Sequence, residues 1–397
     1  MKAFWLLIVL SAYSASSWSI TYQALLPNVI AKLPQMQTLQ DYQGLSDANR
    51  LAADSWIPGE VELNLKHEND ALTGDQGFQS WEGGASFPVW WPEQSKHQNA
   101  IGRGYQHQSQ TVQARLALMA SEKLRQLVWS TTQTTVKLQF AREDLQQTQA
   151  LVALIQQGVV AGDRPQFDLL LAQKSLNQAQ KRLAQLTAEH RMALQQYQAW
   201  TDTTELPDPI AEVVAQPAPT LESHPDIEWL QAQQQTEMAR LALAKASRLS
   251  QPNVYLAVKN ERDDQTSDNN ILIAEVRLPI GENPMAATQI AAQRQQLSQA
   301  QIAITEALQQ LRKRQFEARE TLKAAEIGQT LAAEQRKLAQ QAMQLAQSAY
   351  RQGETSIQNL LQMKQQYFDD QLNDEMAKLE RLEAIANLNQ ALGVRLP

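Results

Sequence analysis

The sequence predicts a mainly α protein with a small β part, built from two copies of one unit. Three observations predict it. Long stretches rich in Gln and Ala carry apolar residues at alternating spacings of three and four, as helices packed along a narrow seam do. Two shorter stretches alternate apolar and polar residues around a polar break, as β-hairpins do. Landmarks of the first half also recur in the second at a constant offset.

That offset is 279 − 88 = 191 residues, taken from Pro88 and Pro279, which close the two alternating stretches. Leu33-Pro34 stands at the same offset from His224-Pro225, and Gly162-Asp163 from Gly353-Glu354. The repeats are therefore 20–202 and 223–397. Each reads as short helix, hairpin (58–90 and 252–280), long helix, tip turn (near 162 and 353) and returning helix. A linker rich in Pro and acidic residues, 203–222, joins them and is expected to wrap the middle of the molecule.

The elements follow in order. Residues 1–19 read as a secretory signal peptide: Lys2, an apolar run from Phe4 to Leu10, then Ser17 and Ser19 at the −3 and −1 positions. The run is too short for a membrane span, and no other stretch approaches the about 18 apolar residues a span needs. The mature protein is expected to be exported without a transmembrane helix. The long helices cover roughly Gln94–Ile155 and Pro284–Arg351. Leu138, Ala141, Leu145 and Val152 mark the seam of the first, and Leu308, Leu311, Ala318 and Leu322 that of the second. A helix of about 65 residues spans about 95 Å, and a returning helix of 36–39 only about 55 Å. A returning helix and a short helix stacked end to end therefore match one long helix. All four strands then lie at one end of a rod and both Gly turns at the other.

Composition excludes several classes. The net charge of −7 argues against a nucleic-acid partner. The chain has no cysteine, so it has no disulfide, thiolate metal site or Cys-linked lipid. No catalytic motif is present: GxSxG, HExxH and the P-loop are all missing. His67, His97, His107, His190 and His224 are scattered without ligand spacing. No enzymatic activity and no cofactor are expected.

The hairpins carry the functional signal. Val61, Leu63 and Leu65 share a face in the first strand; Trp81, Gly83, Ala85 and Phe87 in the second; Val254, Leu256 and Val258 in the third; Leu272, Ala274 and Val276 in the fourth. The opposite faces carry charge. Strands of this length cross a bilayer when tilted, and Trp90 and Trp91 stand at a strand end, where an interfacial belt would be. A four-stranded sheet packed on helices in a soluble domain fits the same alternation. Four strands cannot close a barrel, and open edges are not tolerated in lipid, but three chains supply twelve strands.

The order and spacing of several segments resemble the TolC-type outer membrane efflux channel family, over about Thr21 to Leu396. HPDIEWLQAQ is similar to the family's helix start, GDRPQFDLLLAQKSL and GETSIQNLLQMKQQY to its tip turns, and RLSQPNVYLAVKNERDD with ILIAEVRLPIG to its barrel entry. The resemblance implies a homotrimer, with a twelve-stranded transmembrane β-barrel in outer membrane lipid and a long coiled-coil α-barrel in the periplasm of a Gram-negative bacterium. It implies a periplasmic adaptor and an inner membrane pump, of RND type, as partners. The HP helix, the LP-I strand end and the short C-terminus are most similar to the branch serving heavy-metal cation pumps; many members of that branch carry a lipidated Cys, which this chain lacks. Channels for type I protein secretion share the fold, and a periplasmic coiled-coil adaptor is the remaining rival.

Carried over by position, Gly162, Asp163, Asp168, Gly353 and Glu354 form the periplasmic tip, where acidic rings would gate a tunnel. Asn359 stands where the second repeat would carry its Asp. Asp163 and Glu354 also fit as helix N-caps or first-turn acids. Leu169, Leu170, Leu360 and Leu361 would contact the adaptor or only pack helices. Glu62, Lys66, Glu275 and Arg277 would line the barrel, and the loops 68–76 and 262–270 would face outside.

Overall fold

The computed structural model describes residues 20–397 except 73, 75, 76, 265–267 and 282. The expected signal peptide lies outside them, as do the middles of both outer loops. In chain order the elements are α1 (Tyr22–Ala31), α2 (Met36–Asp54), β1 (Glu62–Asn69), β2 (Gln79–Pro88), α3 (Gln94–Val160), α4 (Gln166–Thr201), α5 (Pro225–Ala246), β3 (Asn253–Arg262), β4 (Asn269–Arg277), α6 (Ala286–Gln352) and α7 (Ile357–Ala391).

One expectation needs correcting. The short helix that opens the first half is two helices, α1 and α2. Pro34 divides them, because proline disfavours the helical conformation in the residue before it and offers no N–H of its own. His224-Pro225, at the matching offset, instead starts α5 cleanly. Pro225 takes the first turn, where no N–H is needed, and His224 Nδ1 accepts the Asp226 N–H at 3.2 Å.

The two 67-residue helices set the length of the rod, about 100 Å. Toward one end α3 packs against α2 and α5, through Ser46 donating to the Gly102 carbonyl and Gln108 donating to Thr236. Toward the other it packs against α4, while α6 packs against α5 and α7. The short and returning helices thus share the long ones between them. Midway, α1, α3 and the end of α4 enclose a core of Leu25, Val29, Leu116, Leu124, Val128 and Tyr197. The 203–222 linker is strapped across this level. Buried Arg125 donates to both carboxylate oxygens of Glu212 at 2.7 Å, and Asn389 donates to the Val213 carbonyl at 2.9 Å.

The four strands form one antiparallel sheet in the order β1-β2-β3-β4, and among the described residues no helix packs across it. The alternative of a sheet laid on helices is therefore not the arrangement found. Leu63, Leu65 and Leu272, on the apolar face, are 83%, 78% and 79% exposed. On the polar face β2 and β3 approach closely at Gly84. A Cβ on Gly84 would fall 2.5 Å from the Cβ of Ala257, far inside the roughly 4.5–5.5 Å of a flat antiparallel pair. Trp90 and Trp91 tie the base of the sheet to the rod, their indole N–H groups donating to the carbonyls of Ser55 and Ser250 at 2.9 and 2.8 Å.

Candidate functional site

The far end of the rod is built from two turns. Gly162 and Gly353 end α3 and α6 at φ of 81° and 77°, a conformation glycine adopts without a Cβ clash. The Asp163 N–H then reaches back to the Gly158 carbonyl, and the Glu354 N–H to the Ala349 carbonyl, both at 2.9 Å. This satisfies carbonyls the ending helix leaves free. Asp163 and Glu354 are therefore C-terminal turn residues and not N-caps; the N-caps are Pro165 and Ser356. Both carboxylates point into solvent.

Asp168, in the first turn of α4, is engaged. Tyr350 of α6 donates its hydroxyl to Asp168 Oδ2 at 3.2 Å. Arg164 stacks its guanidinium 4.3 Å from the Tyr350 ring centre and donates to the Tyr350 carbonyl at 3.2 Å. Two residues of the first half thus clasp one of the second. Burial, and then the Asp168 charge, push the Tyr350 hydroxyl up from its ordinary range, so it stays a donor at neutral pH.

Neither Arg164 nor Tyr350 stood out in the sequence, yet a signal existed. At the 191-residue offset Tyr350 faces Val159, Arg164 faces Thr355 and Asp168 faces Asn359. The clasp is made where the two halves differ.

The four leucines divide. Leu169 and Leu360 are buried with Ile155, Ala172, Met343 and Ile357, and so pack helices. Leu361 is partly buried against the same cluster. Leu170 is exposed, as are Phe167 one turn earlier on α4 and Val160 at the end of α3. At the matching offset Phe167 and Val160 become Gln358 and Arg351, so the first tip is the apolar one. Further along the rod from the tip, buried Lys364 of α7 donates to Asp144 Oδ1 of α3 at 2.7 Å, and also to Thr148.

At the sheet end, Glu62, Lys66, Glu275 and Arg277 all lie on the polar face, on the two outer strands. The chain does not bring the two edges together. Lys66 pairs with Glu68 at 2.5 Å and Arg277 with Glu275 at 2.6 Å, each along its own strand. Between them Glu82 and Lys259 face each other, and Tyr255 donates to Glu82 at 2.7 Å. Among the described residues no group of three or more His, Asp or Glu could hold a metal ion, and no helix is long and apolar enough to cross a membrane.

No family model matches the chain, and no curated protein does. Solved structures match along nearly its whole length. CusC, whose structures describe transmembrane channel formation, is 17% identical with a TM-score of 0.75, covering 96% of this chain and 95% of its own. A membrane protein from Pseudomonas aeruginosa is 15% identical with a TM-score of 0.75, covering 94% and 91%. The outer membrane protein VceC from Vibrio cholerae is 11% identical with a TM-score of 0.74, covering 94% and 95%. The fold is that of channel-forming outer membrane proteins. At these identities the match speaks to the backbone: a rod of long helices with a small sheet at one end.

Proposed function

We propose that the chain is a TolC-type outer membrane efflux protein, working as a homotrimer. The two halves are copies of one ancestral unit. Three copies of the sheet make a twelve-stranded barrel, and three rods make a periplasmic α-barrel. A periplasmic adaptor and an inner membrane pump of RND type supply the substrate and the energy. Conduction through the chain itself is passive. Heavy-metal cations are the substrate class this reading favours, from the segments most similar to the cation-pump branch.

One observation carries the reading. The sheet turns its apolar face outward, uncovered, and ends in two unpaired edges. In water such a sheet is an aggregation hazard; in lipid, with its edges joined, it is a barrel wall. Glu62, Lys66, Glu275 and Arg277 then line the lumen. The Arg164–Tyr350–Asp168 clasp holds the two helix pairs together at the tip, where Asp163 and Glu354 add negative charge around the three-fold axis. Exposed Leu170, Phe167 and Val160 face the adaptor.

Single cysteines in this cysteine-free chain test the topology. Ala71→Cys sits on the loop beyond β1, and Gln166→Cys at the tip. A membrane-impermeant maleimide is expected to label the first in intact cells, and the second only after the outer membrane is permeabilised. Labelling of both only after permeabilisation would place the whole chain in the periplasm and end the channel reading.

A further inference from the structure

We infer that copies of this chain join β4 of one to β1 of the next in a single register, with Glu275 facing Lys66 and Val276 facing Leu65 across the seam. The inference rests on the trimeric reading above and adds the residue-by-residue contact.

The free edges come first. β1 and β4 each pair on one side only, and they run antiparallel to one another. With the adjoining apolar face in lipid, their open N–H and C=O groups need a strand partner.

The register comes from the chain itself. In the first hairpin Leu63 pairs with Ala85; adding 191 to each gives Val254 and Val276, which pair in the second. Lys66 with Glu82 becomes Ala257 with Ile273, also a pair. β1 therefore corresponds to β3, and β2 to β4, residue for residue. The chain holds one junction between successive hairpins, β2 to β3, where Ala85 pairs with Leu256, Gly84 with Ala257 and Gly83 with Val258. The junction from β4 to the next copy's β1 is of the same kind. Carrying the register across gives Val276 with Leu65, Glu275 with Lys66 and Ala274 with His67.

Two features not used in deriving this register agree with it. Val276 and Leu65 both belong to the outward apolar face, and Glu275 and Lys66 both to the polar face. The charges also match. Glu275 meets Lys66, and Arg277 lies diagonal to Glu62, within reach of a long side chain. A slide of two residues one way would set Glu275 against Glu68 and Arg277 against Lys66. A slide the other way would set Arg277 against Glu62 but leave Lys66 facing Ile273 and Glu275 facing Asn64. Within one chain the ion pairs of these charges run along their own strands, Lys66 with Glu68 and Glu275 with Arg277, and all four remain well exposed; the groups opposite Lys66 and Glu275, Glu82 and Tyr255, are bonded to each other.

The test is a double variant, Leu65→Cys with Val276→Cys, in the full chain. Within one chain the two positions lie three strand spacings apart, about 14 Å, too far for a disulfide. Mild oxidation is expected to give covalent dimers and trimers on a non-reducing denaturing gel. The control, Leu63→Cys with Ala274→Cys, is slid by four residues, about 13 Å, and is expected to stay monomeric. A cysteine-free parent that is trimeric by native mass, with cross-linking in the control or in neither variant, would overturn the register and leave the channel reading standing. A monomeric parent would overturn both. Glu275→Lys alone is expected to lower the temperature at which the trimer dissociates in detergent, and adding Lys66→Glu to restore it. Failure of that rescue would remove the charge pair.

Discussion

The rod and the sheet put the same kinds of side chain on opposite sides. In the rod, leucines and alanines face inward between helices, and a charge is buried only when paired, as Lys364 is with Asp144. In the sheet, leucines and valines lie exposed on one face, and charges gather on the other. The difference teaches that apolar periodicity locates a face without saying what covers it. In the rod the cover is another helix of the same chain. At the sheet no part of the described chain supplies it, so the surroundings must.

The largest effect is expected from breaking the rod's rule. Lys364→Met would leave Asp144 buried with no cation, and such a loss costs about 3–5 kcal/mol. Joining it with Asp144→Leu should recover most of that, since an apolar pair of similar volume is often no worse than a buried ion pair. Denaturant unfolding of the detergent-solubilised protein reads both. If Lys364→Met alone unfolds like the parent, the pair does not bind α3 to α7.

Breaking the sheet's rule comes next. Leu65→Arg places a charge on the outward face, which costs about 2–4 kcal/mol at mid-membrane depth and less near an interface. If the proposed trimeric barrel holds, the fraction recovered as assembled trimer in outer membranes should fall, whereas Lys66→Gln, one residue along but on the polar face, should assemble normally. Equal recovery of the two variants would mean that lipid does not cover the apolar face.

Much of this comparison was legible in the sequence, and the reason is local. The hairpins, the Gly162 and Gly353 turns and the helix seams all depend on residues close in the chain, and the 191-residue offset shows by comparing such local signals. The contacts that tie the halves together do not. Arg164 and Tyr350 are 186 residues apart, and Asp144 and Lys364 are 220 apart. A lone Asp or Lys on a Gln-rich helix reads as solvated until the helix that covers it is placed. In the sequence Asp163 and Glu354 fit as N-caps or first-turn acids of the following helix, and only backbone geometry puts them in the turn that ends the preceding one.

A smaller effect is expected at the clasp. Tyr350→Phe keeps the ring under Arg164 and removes the bond to Asp168, worth about 1.5–3 kcal/mol for a charged acceptor. Conductance through single channels in planar bilayers should rise or open more often, with the trimer unchanged. In the parent, whose Tyr350 hydroxyl titrates above its ordinary range, the conductance should stay constant through the pH at which a free tyrosine ionises. An unchanged conductance in the variant would confine the clasp to a structural role.

The smallest effect concerns pH and the middle of the rod. His224 is buried at the start of α5, against Gly393, and its Nδ1 accepts the Asp226 N–H. Burial lowers its pKa below the ordinary 6.5; Arg314 pushes the same way, and Asp226 and Glu228 push against. As the pH falls through about 6.5 the unfolded chain takes up this proton before the folded one does, so the stability His224 contributes at neutral pH is lost on acidification. A protonated Nδ1 also cannot accept, so the cap fails together with the charge balance. His224→Asn keeps an acceptor at the N-cap and has nothing to titrate. The parent should lose unfolding free energy between neutral pH and the mildly acidic range more steeply than this variant. Parallel curves would mean that His224 is protonated equally in both states, and that the cap does not depend on its neutral form.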